Sequence, residues 1–175
     1  MVRLVTLVRS GTLIVITAGL ALGSTACSSV VPKDDVASVV DSELQKQGIT
    51  IDAGVTCPED LEAEVGRSVR CEFTTGGQPV DAVASVTSVQ DGKANFDIVT
   101  EARPIPQALL AQQIGEQIGQ DAGVVLDSST CAGDLQPRVT ESVICTLTGG
   151  GETADFKVTV TAVDGGAINY SIEPA

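Results

Sequence analysis

Two cysteine pairs of identical spacing, Cys57/Cys71 and Cys131/Cys145, stand 74 positions apart, and the residues around them repeat with them. Thr56-Cys57-x-x-Asp60-Leu61 falls on Thr130-Cys131-x-x-Asp134-Leu135. Val65, Ser68, Val69, Thr74, Gly76, Gly77 and Asp81 meet Val139, Ser142, Val143, Thr148, Gly150, Gly151 and Asp155. Further on, Val86-Thr87-x-Val89, Gly92, Asn95 and Ile98 meet Val160-Thr161-x-Val163, Gly166, Asn169 and Ile172, all without a gap. Such self-similarity means two copies of one folding unit, so the fold must be found within less than half the chain.

The repeat continues upstream into a helix that kept its apolar face while its sequence diverged. Val36, Val40 and Leu44 lie at i, i+4 and i+8, and the same offset gives Leu110, Ile114 and Ile118. Asp34 and Asp35 suit the start of the first helix, Lys46 its last turn and Gly48 its end, while Pro106 opens the second. After each helix the period changes to two. Phe156, Val158, Val160 and Ala162 alternate with polar residues, and Ile168, Tyr170 and Ile172 supply the inward side of the next strand.

Turns are expected at Gly76-Gly77 and Asp91-Gly92, and at Gly149-Gly150-Gly151 and Asp164-Gly165-Gly166. With further strands near 49–56 and 68–75, each copy reads as a helix followed by about four antiparallel strands. The fold class is therefore α+β: two tandem small domains, each an N-terminal helix on an antiparallel sheet. The first copy has the thinner core, with Ala82 and Ala84 where the second has Phe156 and Val158. The recurrent Asp60-Leu61 and Asp134-Leu135 read as fold requirements, the Asp capping a turn after the first cysteine and the Leu packing beneath the loop.

A unit of about 70 residues is in the size range where a hydrophobic core alone is marginal. A disulfide that closes a loop of ~15 residues adds roughly 3 kcal/mol in the chain-entropy model, which is reason enough for the cysteines. Four cysteines permit three connectivities, and pairing within each unit is expected: Cys57 with Cys71 and Cys131 with Cys145. Zinc is disfavoured because such sites use closely spaced pairs of reduced thiols, and no C-x-x-C is present for redox chemistry.

The fifth cysteine follows a different pattern. Arg3 and Arg9 precede an apolar run from Gly11 to Leu22, and small residues Gly23-Ser24-Thr25-Ala26 lead to Cys27. These are the three regions of a secretory signal, and a cysteine directly after them suits lipoprotein processing. Position −3 is Ser24, where leucine is commonest, so ordinary cleavage that leaves a soluble chain with a free Cys27 is an alternative. A retained transmembrane helix is disfavoured, because the apolar run is shorter than the ~20 residues a bilayer core needs. The expected layout is a lipoprotein signal peptide over 1–26, a lipidated tether over 27–33, a first domain over 34–100, a linker over 101–105 and a second domain over 106–175. The expected location is extracytoplasmic, at the outer face of the cell membrane or in the cell envelope.

The chain has a formal net charge of −13, and the mature form, having lost two basic residues and no acid, carries about −15. That surface repels phosphate backbones and anionic headgroups, so nucleic acid is excluded as a partner and membrane contact is left to the anchor. There is no His and no Trp, with one Tyr and three Phe. Ser-His-Asp and Cys-His nucleophile systems and histidine metal sites are thereby removed, and aromatic stacking platforms are nearly absent. Carboxylates remain. Glu59, Asp60, Glu62 and Glu64 cluster after Cys57, but the second copy keeps only Asp134 and has Arg138 where Glu64 stands. The cluster reads as a solvated acidic loop, with a partner surface or a calcium site as the alternatives; no cofactor and no catalytic set are expected, and carboxylates are the working groups left to any enzyme.

Cys57-Pro58-Glu59-Asp60-Leu61, followed by Gly66, Ser68, Val69 and Cys71 and preceded by a short helix and a lipidation-type cysteine, resembles an uncharacterised domain family of actinobacterial lipoproteins, domain-of-unknown-function family 4333. The second copy departs from the pattern, with Ala132 for the proline and Thr140 for the glycine. The resemblance implies an envelope lipoprotein and carries over no catalytic residue. The leading expectation is a non-enzymatic cell-envelope lipoprotein that binds a protein or envelope component. The alternatives are an inhibitor or sensor acting through the acidic loop, and a carrier of an apolar or lipid ligand.

Overall fold

The computed structural model describes residues 29–175; the expected signal peptide, Cys27 and Ser28 lie outside them. The first copy runs β1 (Val30–Val31), α1 (Lys33–Lys46), β2 (Leu61–Glu62), β3 (Ser68–Thr75), β4 (Gln78–Gln90) and β5 (Lys93–Ala102). The second runs α2 (Gln107–Ala122), β6 (Ser128–Cys131), β7 (Ser142–Gly149), β8 (Glu152–Asp164) and β9 (Ala167–Pro174). Each copy is a helix packed on an antiparallel meander, β3-β4-β5 in the first and β6-β7-β8-β9 in the second.

The helix faces read from the sequence are the buried ones. Val36, Val40 and Leu44 are sealed against the first sheet, and Leu110 and Ile114 against the second, with Ile118 half-buried. Fully burying a side chain of this kind contributes about 1.5–3 kcal/mol, so these stripes are the main attachment of each helix. Gly48 (φ +84°) and Gly123 (φ +66°) end the helices in the left-handed conformation that glycine adopts without penalty. Behind them Ile49 N–H and Val124 N–H return to the carbonyls of Leu44 and Gly119, each at 3.0 Å.

Both disulfides form within their copies, Cys57 to Cys71 and Cys131 to Cys145, with Cα atoms 4.2 and 3.9 Å apart. They are cross-strand links: Cys131 is the register partner of Cys145, and Thr56 bridges Glu72 beside the first pair. All four sulfurs lie in the core, where Cys71 faces Ala82 and Cys145 faces Phe156 across the neighbouring strand.

Four local expectations are corrected. The first copy has three strands in its main sheet, because residues 49–56 form only the Thr56–Glu72 bridge where the second copy has β6. The gap-free repeat conceals the cause. Asp52 N–H bonds to Thr74 O and Asp127 N–H to Thr148 O, a correspondence one residue out of the 74-residue step. The first copy therefore has one extra residue before Thr56, taken up at Gly54 (φ +79°), while the longer α2 absorbs the difference upstream.

Residues 101–105 are not a free linker, and 27–33 are not wholly a tether. Glu101 and Ala102 end β5, and Ile105 is fully buried, exchanging both backbone hydrogen bonds with Leu135. Val31, its counterpart in the repeat, pairs with Leu61, and Lys33 already opens α1. An apolar residue just before the proline is thus the first core position of each domain. Finally, bulges at Thr87 and Thr161 break the alternation, so Val163 rather than Ala162 packs on the second core.

The two domains touch. The β8–β9 turn, Gly165-Gly166, sits on the first domain: a Cβ at Gly166 would lie 2.2 Å from Val80 Cγ1, and one at Gly165 would lie 3.2 Å from Ile49. The Gln78 side chain donates to Ile168 O (2.9 Å) and accepts from Ile168 N–H (2.8 Å), pairing with the open edge of β9 as a peptide group would. Gln113 of α2 reaches the carbonyl of Gly76 at 3.4 Å. No helix among the described residues is long and apolar enough to cross a membrane.

Candidate interaction surfaces

Three of the four carboxylates after Cys57 have partners inside the domain. Asp60 Oδ1 accepts the N–H of Lys33, the first residue of α1, at 2.9 Å. Asp134 Oδ1 does the same for Gln107, the first residue of α2, at 2.8 Å. The residues at the N-cap positions are Pro32 and Pro106, which have no side-chain acceptor, so each helix borrows its cap from the loop after the disulfide. This corrects the expected role: the recurrent Asp caps the helix rather than a local turn. Leu61 and Leu135 are buried beside it.

Glu62 and Glu64 both pair with Arg67, at 3.0 and 3.4 Å, which leaves Glu59 as the acid with no ion pair among the described residues. The second copy keeps the Glu64–Arg67 contact with the charges exchanged, as Arg138–Glu141 at 3.2 Å. The same turn holds both pairs: Arg67 N–H bonds to Glu64 O and Glu141 N–H to Arg138 O. Between them the backbone is left-handed, at Gly66 (φ +91°) in the first copy and at Thr140 (φ +74°) in the second. Sequence reasoning missed these pairings because each uses residues that are unremarkable alone; the reversal at one repeat offset was the available signal.

The outer face of the first sheet carries a charged lattice. Arg70 bonds Asp81 (2.9 Å) and Glu101 (2.5 Å), and Arg103 bonds Glu72 (3.0 Å) and approaches Asp81 (3.6 Å). Glu72, Asp81 and Glu101 lie directly across three strands, so the arginines separate carboxylates that would otherwise repel. Donating hydrogen bonds to Glu101 and then to Asp81 favours the charged guanidinium and raises the Arg70 pKa. In the second copy Ile144 and Thr146 replace Arg70 and Glu72, and Asp155 is held by the Thr146 hydroxyl at 2.7 Å.

Two grooves distinguish the copies. One, about 490 Å³, runs beside α1, between Asp34, Ser38, Asp41 and Gln45 and the loop at Gly54-Val55. Its walls are mostly polar. The other, about 520 Å³, lies at the open end of the second core, floored by Leu147 and Phe156 and rimmed by Val124, Val125, Glu152 and Ala154. Val125 is 89% exposed and Val124 50%. Such apolar surface is where binding sites concentrate. Among the described residues no group of three or more His, Cys, Asp or Glu is placed to hold a metal ion.

The chain matches the family described as a domain of unknown function, DUF4333, twice, over residues 15–91 and 95–165. No curated protein and no solved structure gives a match. The two matches cover most of the chain and follow the duplication seen in helices, sheets and disulfides: the chain belongs to the DUF4333 family and carries two tandem copies of its domain.

Proposed function

We propose that this chain is a non-enzymatic, lipid-anchored binding protein of the cell envelope, and that the groove of the second domain is its contact surface. The observation that carries the reading is the exposed rim of that groove, Val124 and Val125 over Leu147 and Phe156. The anchor rests on the Cys27 pattern, and the two disulfides suit an oxidising compartment. The acidic loop is a weaker contact surface, since Asp60, Glu62 and Glu64 already serve α1 and Arg67. Carriage of an apolar ligand inside the first domain has little room, with Ala82 and Ala84 fully buried within one packed cluster.

The test is crosslinking in intact cells followed by co-purification, with the wild-type chain, Cys27→Ala and Ala154→Arg in parallel. Ala154 is exposed on the groove rim, so an arginine there fills the groove without entering the core. Loss of the specific partner in Ala154→Arg, and loss of membrane attachment in Cys27→Ala, are the expected results. Full capture by Ala154→Arg would remove the groove from consideration, and an unacylated Cys27 in mass spectra of the membrane fraction would remove the anchor.

A further inference from the structure

We propose that the groove of the second domain receives the β4–β5 hairpin of a second copy of this chain, in the way that the first domain receives the β8–β9 hairpin of its own. The inference rests on the groove being a contact surface and adds the occupant.

The template is the contact between the domains. On the receiving side it uses Ile49, Gly76, Gln78, Val80 and Thr100. The structural counterparts of the first four, Val124, Gly150, Glu152 and Ala154, line the groove, while that of Thr100, Pro174, lies outside its lining. The difference is occupancy. Val80 is 0% exposed beneath Gly166, whereas Ala154 is exposed. The groove is thus the second domain's version of a seat already filled in the first.

The docking element also exists twice. Gly165 (φ +58°) and Gly166 (φ +87°) form the turn that docks; Asp91 (φ +50°) and Gly92 (φ +74°) form the same turn in the first domain. Its backbone is unobstructed, since a Cβ built at Gly92 meets nothing within 4 Å. Ile168, whose N–H and C=O bond Gln78, corresponds to Ala94 on the open edge of β5. Gln113, which reaches the first domain from α2, corresponds to Val39, 43% exposed on α1. Val89, 37% exposed, stands beside the turn.

Charge supports the match despite the net negative surface. Glu152 replaces Gln78 on the receiving side, so it can accept from the Ala94 N–H but cannot donate to its carbonyl. The residue before Ala94 is Lys93, a cation that makes no ion pair among the described residues and that complements Glu152. Each copy has one hairpin to offer and one groove to fill, and the two surfaces differ.

The experiment uses the full chain in cells, expressed with two different tags and with a photo-crosslinking amino acid in place of Val125. Expected is a crosslink from position 125 of one tagged copy to a peptide within residues 86–96 of the other. Lys93→Glu and Glu152→Lys should each lower its yield about fivefold, the effect of losing and reversing a rim ion pair. Mixing a Lys93→Glu chain that donates with a Glu152→Lys chain that receives should restore it, which a folding defect would not do. Crosslinks only to other proteins would overturn the second-copy occupant and leave the groove standing as a contact surface. Crosslinks to another region of a second copy would overturn the hairpin assignment. No crosslink at all would overturn both.

Discussion

The two copies differ most where the helix meets the edge of its sheet. In the second domain Gly115 and Gly119 face β6 and the segment before it: a Cβ at Gly115 would lie 3.0 Å from Ser129 Cβ, and one at Gly119 would lie 3.2 Å from Val124 O. With no side chains in the way, Ser129 Oγ–H reaches Ala111 O at 2.6 Å and the fourth strand forms. In the first domain the same helix positions hold Asp41 and Gln45, which bond each other, and the facing segment bulges at Gly54 and leaves the polar groove. The fourth strand thus goes with two small residues on the helix and a facing segment one residue shorter. The core and the disulfide are held in common, and the edges set what each copy can receive.

The largest test of this comparison removes the covalent links one at a time. Replacing Cys57 and Cys71 together by alanine should cost roughly 3 kcal/mol and unfold the first domain selectively. Its core has Ala82 and Ala84 where the other keeps Phe156 and Val158. The same change at Cys131 and Cys145 should weaken the second domain yet leave it folded. Domain-resolved hydrogen exchange measures both, and equal loss of protection in the two would show that core volume is not what separates them.

Next in size is the shared turn. Gly166→Ala and Gly92→Ala place a side chain on backbones of similar positive φ, but only the first meets Val80. Gly166→Ala should therefore cost about 1–3 kcal/mol more and speed amide exchange at Ile168. Equal costs would mean that the domains do not press together at this point.

A smaller and opposite effect is expected between the disulfide loops. Thr140 is a β-branched residue at φ +74° where the first copy has Gly66. Thr140→Gly should stabilise the second domain by about 1 kcal/mol, and Gly66→Thr should destabilise the first by a similar amount. Denaturant midpoints of the two variants would show whether the sign reverses between copies.

The smallest expected effect is alkaline. Tyr170 occupies the position of Phe96, and burial raises its phenol above the ordinary tyrosine range because the phenolate is harder to accommodate. A raised folded-state pKa means that this contribution is complete below the unfolded tyrosine pKa and is lost as pH rises through the folded one. Tyrosinate absorbance should titrate late and track loosening of the second domain, and Tyr170→Phe should abolish that dependence.

The sequence made legible whatever local spacing controls. The apolar helix faces follow from period, the disulfides from the repeat, and the left-handed turns from glycine. What it concealed was set by partners far along the chain. Asp60 caps a helix 27 residues away, and nothing near it in sequence shows that Pro32 has left the N-cap without an acceptor. The missing strand was hidden by two compensating one-residue shifts that an ungapped alignment averages away. The seat for Gly166 depends on how two domains meet, and Gln78 and Ile168 are 90 residues apart. As for the candidate surface, the acidic loop stood out by composition, whereas the groove is assembled from valines, glycines and an alanine that look like ordinary strand residues.

The contacts at the start of the described residues would limit how far a lipid-anchored form could reach. Ser29 O already accepts the N–H of Ala63 at 2.8 Å, and Val30 is paired in β1. With the lipid on Cys27 proposed above, the leash between bilayer and folded body is two residues, about 7 Å when fully extended. The body would be held close to the bilayer instead of sweeping through the space beyond, and would meet other anchored molecules by lateral diffusion in a plane. Confinement of that kind raises effective concentration without any new contact, so a hairpin-and-groove affinity too weak to see in dilute solution would suffice at the membrane surface.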